Sequence, residues 1–183
     1  MSIITVNPKI RIKGFSSIKV NLGEVDEFEF SFKKINFLAD NISKYNLSTK
    51  DQKIILKIKD SYVKAKNGED LSSDDMVLKN QENLEMKLLS EDKLARYFIY
   101  RYKFNIYPSM RIVDDYPPCV QIEPTSMCNF RCVMCYQADK TFSNKKMGFM
   151  GMMSLDTFKK SIDELEGNIE AITFASRGEP TMN

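Results

Sequence analysis

Three cysteines near the end of the chain have the types and spacing needed for metal chemistry. Cys128, Cys132 and Cys135 form a C-x3-C-x2-C pattern on one short stretch. Cysteine thiolates hold iron–sulfur clusters, and a cluster of four irons usually takes four of them. With three thiolates, one iron keeps an open coordination position. A substrate or cofactor can bind there, as it does at the open position of catalytic zinc. The pattern therefore predicts a reactive metal centre more than a scaffold.

Two other chemistries remain open for the same residues. A structural zinc site would add Cys119 as a fourth ligand, although zinc prefers C-x2-C pairs and only Cys132 and Cys135 have that spacing. Cys132 and Cys135 could instead form a thiol redox pair, which gives Cys128 no role. Without a metal, Cys119 is interpreted as a small buried hydrophobic residue.

The elements around the cysteines follow a strand–helix–strand pattern. Val120 and Ile122 indicate a short buried strand that Pro124 ends, and residues 171–175 indicate a second strand. Between them, Ser154 is a good N-cap for a helix with one apolar face that Gly167 ends. The pattern predicts a βαβ unit with parallel strands. The cysteine loop and residues 178–180 both follow strands, at the sheet edge where α/β barrels hold their chemistry.

These motifs resemble those of the radical S-adenosylmethionine (SAM) enzyme family. The cysteine spacing with the apolar Met134 before the last cysteine is typical of that family, as are residues 120–127, which lead into the first cysteine. Residues 176–180, Ser-Arg-Gly-Glu-Pro, are similar to the family's Gly-Gly-Glu-Pro segment, with Arg177 at the first Gly position. The resemblance covers residues 116–183, about the last third of the chain.

The resemblance implies that Cys128, Cys132 and Cys135 each ligate one iron of a 4Fe–4S cluster, and that SAM chelates the fourth iron. One electron then cleaves SAM to methionine and a 5′-deoxyadenosyl radical, which abstracts hydrogen from a substrate carbon. The implied partners are an electron donor such as flavodoxin or ferredoxin and a peptide, protein or small-molecule substrate. Relatives with a SPASM domain commonly act on such substrates.

The resemblance also implies the SAM contacts. Gly178 and Glu179 match the positions that hold the methionine amino end of SAM, and Met134 and Tyr136 match positions that contact adenine. No acid–base catalytic residue is assigned beyond the cluster. The sequence has no histidine, which excludes a histidine general base and a histidine-ligated metal within these residues.

Composition limits the possible partners and the compartment. The formal net charge is +2, which argues against a strong electrostatic nucleic-acid binder. Clustered cysteines fit a reducing compartment better than a disulfide framework. We find neither a signal peptide nor an apolar run of the roughly 20 residues that a membrane helix needs. We therefore expect a cytoplasmic protein without membrane or nucleic-acid partners.

Residues 1–117 carry no motif that we can link to a reaction. Alternating residues predict strands at 10–14 and 18–23, and the same alternation continues at Phe28, Phe30 and Phe32. Caps predict helices from Ser48 to about residue 67, over residues 76–89 after a cap at 72–75, and from residue 90 to about 103. Pro108 and residues 114–118 mark the boundary.

The basic and aromatic stretch 96–104 has two interpretations. Its rings and cations could form a nucleic-acid or partner surface. The alternative, which the modest net charge favours, is an amphipathic helix with buried rings and solvated charges.

In the second region, the methionines of residues 147–153 are interpreted as part of a flexible loop that packs over the barrel.

We therefore expect an α/β chain with two regions. Residues 118–183 form the start of a partial (β/α) radical SAM barrel with two strands and one helix, and residues 1–117 form a mainly helical α+β extension. A full barrel takes about 250 residues, so we expect the sequence to be truncated after the second barrel strand and inactive alone. The alternative is a non-catalytic, cysteine-ligated metal (zinc) binding or interaction module.

Overall fold

The computed structural model describes the backbone of residues 3–7 and 10–13, and it describes residues 27–174 and 176–183 with their side chains. The chain divides into two compact units, Met1–Val113 and Asp114–Asn183. The predicted junction between residues 117 and 118 lies close to this division. Within the described ranges, no helix is both long enough and apolar enough to cross a membrane.

The described part of the first unit contains one antiparallel strand pair and four α-helices. Strand β1 (Ile3–Asn7) pairs with β2 (Ile10–Lys13), the latter within a predicted strand. The second predicted strand, at residues 18–23, lies outside the described residues. The helices are α1 (Glu27–Asp40), α2 (Thr49–Asn67), α3 (Asn80–Lys87) and α4 (Glu91–Met110). Helix α1 packs against the other three, and α2 packs against α4.

The strand prediction for Phe28, Phe30 and Phe32 is wrong, because these residues lie in α1. Phe28 begins a buried face that continues through Ile35 and Leu38 at helical spacing. Three alternating rings are too short a pattern to outweigh that longer periodicity. The Phe28 ring stacks on Tyr62 of α2 with centroids 5.3 Å apart, so the face lies in the core.

The two helices that follow α2 differ from their predicted bounds. The predicted helix over residues 76–89 begins only at Asn80, because the buried Asp75 is engaged by Ser72 and by two lysines in a turn. Met76 and Leu78 are buried in the non-helical segment before α3. Helix α4 continues past the predicted end and through Pro108 to Met110. A proline in the last turn removes one backbone hydrogen bond and leaves the rest of the helix intact.

The stretch 96–104 lies in α4, where two buried rings agree with the amphipathic-helix interpretation, whereas the Arg101 side chain, only 14% exposed, is not the solvated charge that it expected. Phe98 and Tyr102 are buried in the core. The Arg101 guanidinium lies near three aromatic rings and pairs with Glu82 and Glu85 of α3 at 3.3 and 3.4 Å. The rings and this cation therefore stabilise the helix packing of the first unit.

The second unit contains the predicted βαβ pattern. Strand β3 (Cys119–Gln121) pairs in parallel with β4 (Ala171–Thr173), and α5 (Leu155–Leu165) lies between them in sequence. The Ser154 hydroxyl accepts the Thr157 N–H at 3.1 Å, which confirms the predicted N-cap. Among the described residues of this unit, Ile122 is the one buried apolar side chain. The described chain is thus an α-rich α/β protein.

Candidate functional site

The three clustered cysteines line one cavity in the second unit. The cavity has a volume of ≈ 260 Å³, and its walls include Cys128, Cys132 and Cys135. The described residues that line it do not include Cys119, which lies in β3. All four cysteines are free thiols; Cys132 is exposed and the others are half-buried. The loop therefore gathers three thiols, and not the fourth, around one opening.

Backbone turns fix the path of the cysteine loop. The Cys135 N–H donates to the Cys132 carbonyl at 3.0 Å, and the Ala138 N–H donates to the Cys135 carbonyl at 2.9 Å. The Phe130 N–H points at the Cys128 sulfur, with nitrogen and sulfur 3.4 Å apart. N–H groups directed at sulfur are among the contacts that set the reduction potential of iron–sulfur centres. One of the three thiols thus already has a backbone N–H in contact with its sulfur.

The thiols do not converge on a single point. Within the described ranges, no group of three or more Cys, Asp or Glu side chains is arranged to hold one metal ion. A single zinc ion requires ligands at about 2.3 Å from one centre. The described structure therefore places the three cysteines at one cavity without arranging them around a single metal position.

The Gly178 segment lies against the residues that precede the cysteines. The Glu179 N–H donates to the Met127 carbonyl at 2.7 Å. Gly178 has φ = +76°, and a Cβ there would lie 2.8 Å from the Met127 carbonyl oxygen and closer still to the Thr125 carbonyl oxygen. Only glycine permits both this backbone angle and this approach. The two sequence motifs, more than 40 residues apart, are thus in direct backbone contact.

Gln137 forms a second connection between the two motifs. Its side-chain Nε2 donates to the Ser126 carbonyl at 2.7 Å, and its Oε1 accepts the Gly178 N–H at 3.1 Å. Gln137 also lines the cavity with the cysteines. Sequence reasoning missed this residue, because a lone glutamine two positions after a cysteine carries no motif.

Arg177 ties the loop after the cysteines to the same segment. Its Nη2 donates to the Phe142 carbonyl and lies 3.6 Å from the Met150 sulfur. Its Nε is buried with no hydrogen-bond partner. The residue that departs from the family pattern therefore makes contacts of its own, and Met150 in turn lines the cavity.

The remaining predicted SAM contacts lie beside the cavity and do not line it. The Met134 side chain is 86% exposed at the tip of the loop. The Tyr136 ring packs edge-on against Phe142, with centroids 5.4 Å apart. The Glu179 carboxylate accepts hydrogen bonds from the Thr181 N–H at 3.2 Å and from the Thr181 hydroxyl at 2.8 Å. Like Met134, Tyr136 and Glu179, Gly178 is not among the lining residues.

Two buried hydroxyl side chains hold the segment that leads into the cysteine loop. Thr125 and Ser126 are almost completely buried, and both hydroxyls donate to the Gly151 carbonyl at 3.2 Å. The Ser126 hydroxyl also accepts the Gly151 N–H at 2.6 Å. These bonds hold the segment that leads into Cys128 against residue 151, so the first cysteine has a fixed starting point.

Comparison with known proteins found no relative of this chain. The chain matches no protein-family model, no curated protein and no solved structure.

Proposed function

We propose that this chain carries the cluster- and SAM-binding part of a radical SAM enzyme. The observation that supports it most is the cavity bordered by Cys128, Cys132 and Cys135. A 4Fe–4S cluster takes one thiolate on each of three irons, so it would need three thiols that share one opening. Cys119 lies in a strand outside this group, which is consistent with an iron left for another ligand.

The neighbouring segment supplies the second part of the proposal. Gly178 and Glu179 contact the entrance of the cysteine loop through the Met127 carbonyl. Glu179 would hold the amino group of SAM, because its carboxylate can accept hydrogen bonds from that group. Met134 and Tyr136 expose an apolar chain and an aromatic ring on the same loop, against which adenine would pack.

The chemistry belongs to the bound groups, and the residues hold and shield them. When bound, the cluster and SAM supply reductive cleavage of SAM and hydrogen abstraction from a substrate carbon by the 5′-deoxyadenosyl radical. The chain's part is to ligate three irons, orient SAM and limit access of water. We further propose a one-electron donor such as flavodoxin or ferredoxin and a peptide, protein or small-molecule substrate.

The test is anaerobic reconstitution of the chain with iron and sulfide. We expect about four irons per chain, and an EPR spectrum of the reduced protein that changes when SAM is added. Single Cys128→Ala, Cys132→Ala and Cys135→Ala variants should lose this iron. Cys119→Ala is the matched control and should retain it.

Two results would contradict the proposal. Zinc bound in place of iron, and lost in Cys119→Ala, would support the four-cysteine zinc module instead. A folded chain that takes up no iron in the presence of sulfide would exclude the cluster altogether.

A further inference from the structure

Gln137 connects three features that the proposed function uses. It lines the cavity of the three cysteines, it holds the residue two positions before Cys128, and it holds Gly178. The assignment of its amide is unambiguous, since the Ser126 carbonyl only accepts and the Gly178 N–H only donates. The side chain therefore links the stretch that leads into Cys128 to the Gly178 segment.

We propose that Gln137 is a positioning residue that sets the Gly178–Glu179 segment against the cysteine cavity, and that SAM affinity depends on it. This inference rests on the proposed function. It adds a residue for which the sequence pattern gives no role.

The hydrogen-bonding groups of the segment support this role. The Gly178 N–H is taken by Gln137, and the Glu179 N–H is taken by the Met127 carbonyl. Both donors of the segment thus bond to the cysteine-bearing stretch. An amino group needs acceptors, so with these donors occupied the segment offers its carboxylate and carbonyls to such a ligand. Loss of the Gln137 amide would free the Gly178 N–H and remove one of the two backbone N–H hydrogen bonds that hold the segment.

Cluster ligation should not depend on this amide. Both hydrogen bonds of the Gln137 side chain are made with main-chain groups, and the turns at Cys132 and Cys135 are made by the backbone. The cluster would be held by three thiolate–iron bonds in any case. The inference therefore separates two measurable quantities, which are the iron content and the affinity for SAM.

The experiment uses the reconstituted chain and three variants. Gln137→Ala removes both bonds. Gln137→Glu keeps the acceptor for the Gly178 N–H and loses the donor to the Ser126 carbonyl, since glutamate is ionised at pH 7. Gln52→Ala is the matched control, because Gln52 also donates from its side chain to a backbone carbonyl, that of Leu47, but in the first unit. Iron per chain is counted, and the EPR spectrum is titrated with SAM.

We expect equal iron in all four proteins. The apparent Kd for SAM should rise at least tenfold in Gln137→Ala, by an intermediate factor in Gln137→Glu, and not at all in Gln52→Ala. SAM binding by Gln137→Ala within twofold of the unmodified chain would overturn the inference. So would iron loss in both Gln137 variants, because the residue would then be structural.

Failure of the proposed function appears separately, in the unmodified chain, as absent iron or a spectrum that does not respond to SAM. The hydrogen bond from the Gly178 N–H to the Gln137 side chain is tested without metal by amide hydrogen exchange. Gln137→Ala should raise the exchange rate of the Gly178 amide at least tenfold in the metal-free chain. An unchanged rate would show that the side chain does not hold the segment.

Discussion

Replacing Gly178 by alanine should disrupt the contact between the two motifs, and Gly148 provides the control. Both glycines have φ = +76°. A Cβ at Gly148 meets no atom within 4 Å, whereas a Cβ at Gly178 would meet the carbonyl oxygens of Thr125 and Met127. The two alanine variants share the strain of the left-handed backbone and differ in the steric clash.

The expected free energies follow from three contributions, which are the backbone strain, the clash and one stretched hydrogen bond. Left-handed backbone costs a residue with a Cβ about 1–2 kcal/mol, in both variants. At Gly178 the neighbouring carbonyls belong to the backbone and cannot rotate away, so overpacking adds about 1–3 kcal/mol. Relief of the clash would stretch the bond from the Glu179 N–H to the Met127 carbonyl, worth about 0.5–1.5 kcal/mol. We therefore expect Gly178→Ala to cost about 2–4 kcal/mol more than Gly148→Ala.

Hydrogen exchange at the Glu179 amide measures the local loss in Gly178→Ala, which includes the backbone strain at residue 178 as well as the clash. A difference of 2 kcal/mol corresponds to roughly 30-fold faster exchange in Gly178→Ala, since about 1.4 kcal/mol is a factor of ten. The Gly148→Ala variant should leave the Glu179 amide nearly unchanged. Equal exchange rates at Glu179 in the two variants would refute the close approach of Gly178 to the Thr125 and Met127 carbonyls.

Three further predictions concern the helices and the buried charge. Asp75→Asn should lower the free energy of unfolding of the first unit by about 3 kcal/mol, measured by urea unfolding, because the buried carboxylate loses its pairs with two lysines and its hydrogen bonds from serines. In the control, Asp74→Asn, the neighbouring carboxylate is half-exposed, so the loss should be less than about 1 kcal/mol. Burial would raise the pKa of Asp75, but hydrogen bonds from Ser72 and the lysines outweigh it and lower that pKa. Its stabilisation is therefore present above the unfolded value of about 3.9 and is lost as the pH falls through the folded value, and acid titration of Asp75→Asn should lack this component. Ser154→Ala should weaken α5 by about 1 kcal/mol, seen as faster amide exchange in its first turn; no change there would contradict the cap.

Local signals in the sequence predicted the elements that rest on local physics. The Ser48 hydroxyl caps α2 by accepting the Asp51 N–H, and Gly68 ends that helix with a left-handed backbone. The strands of the βαβ pattern and the cap at Ser154 follow from equally short patterns. The radical SAM assignment and the roles of its residues stay predictions.

Apart from the strand predicted at Phe28, Phe30 and Phe32, where a local helical periodicity was missed, much of what the sequence did not predict depends on partners far away along the chain. Asp75 resembles a helix cap until the lysines of α2 are seen to engage it. Gln137 gains its role from Gly178, 41 residues away, and Arg177 contacts Phe142 across 35 residues. Such contacts are set by tertiary packing, which neither propensity nor spacing encodes.

The uneven distribution of buried side chains has a consequence for how folding is judged. Within the described part of the chain, four of the five α-helices and nearly all the buried apolar residues belong to the first unit. Far-UV circular dichroism and a thermal melt will therefore report mainly on that unit, and the chain need not melt in one cooperative transition. A variant whose cysteine loop has unravelled could pass both tests as native. Quality control of any preparation must look at the second unit itself, for instance by limited proteolysis around residues 128–150.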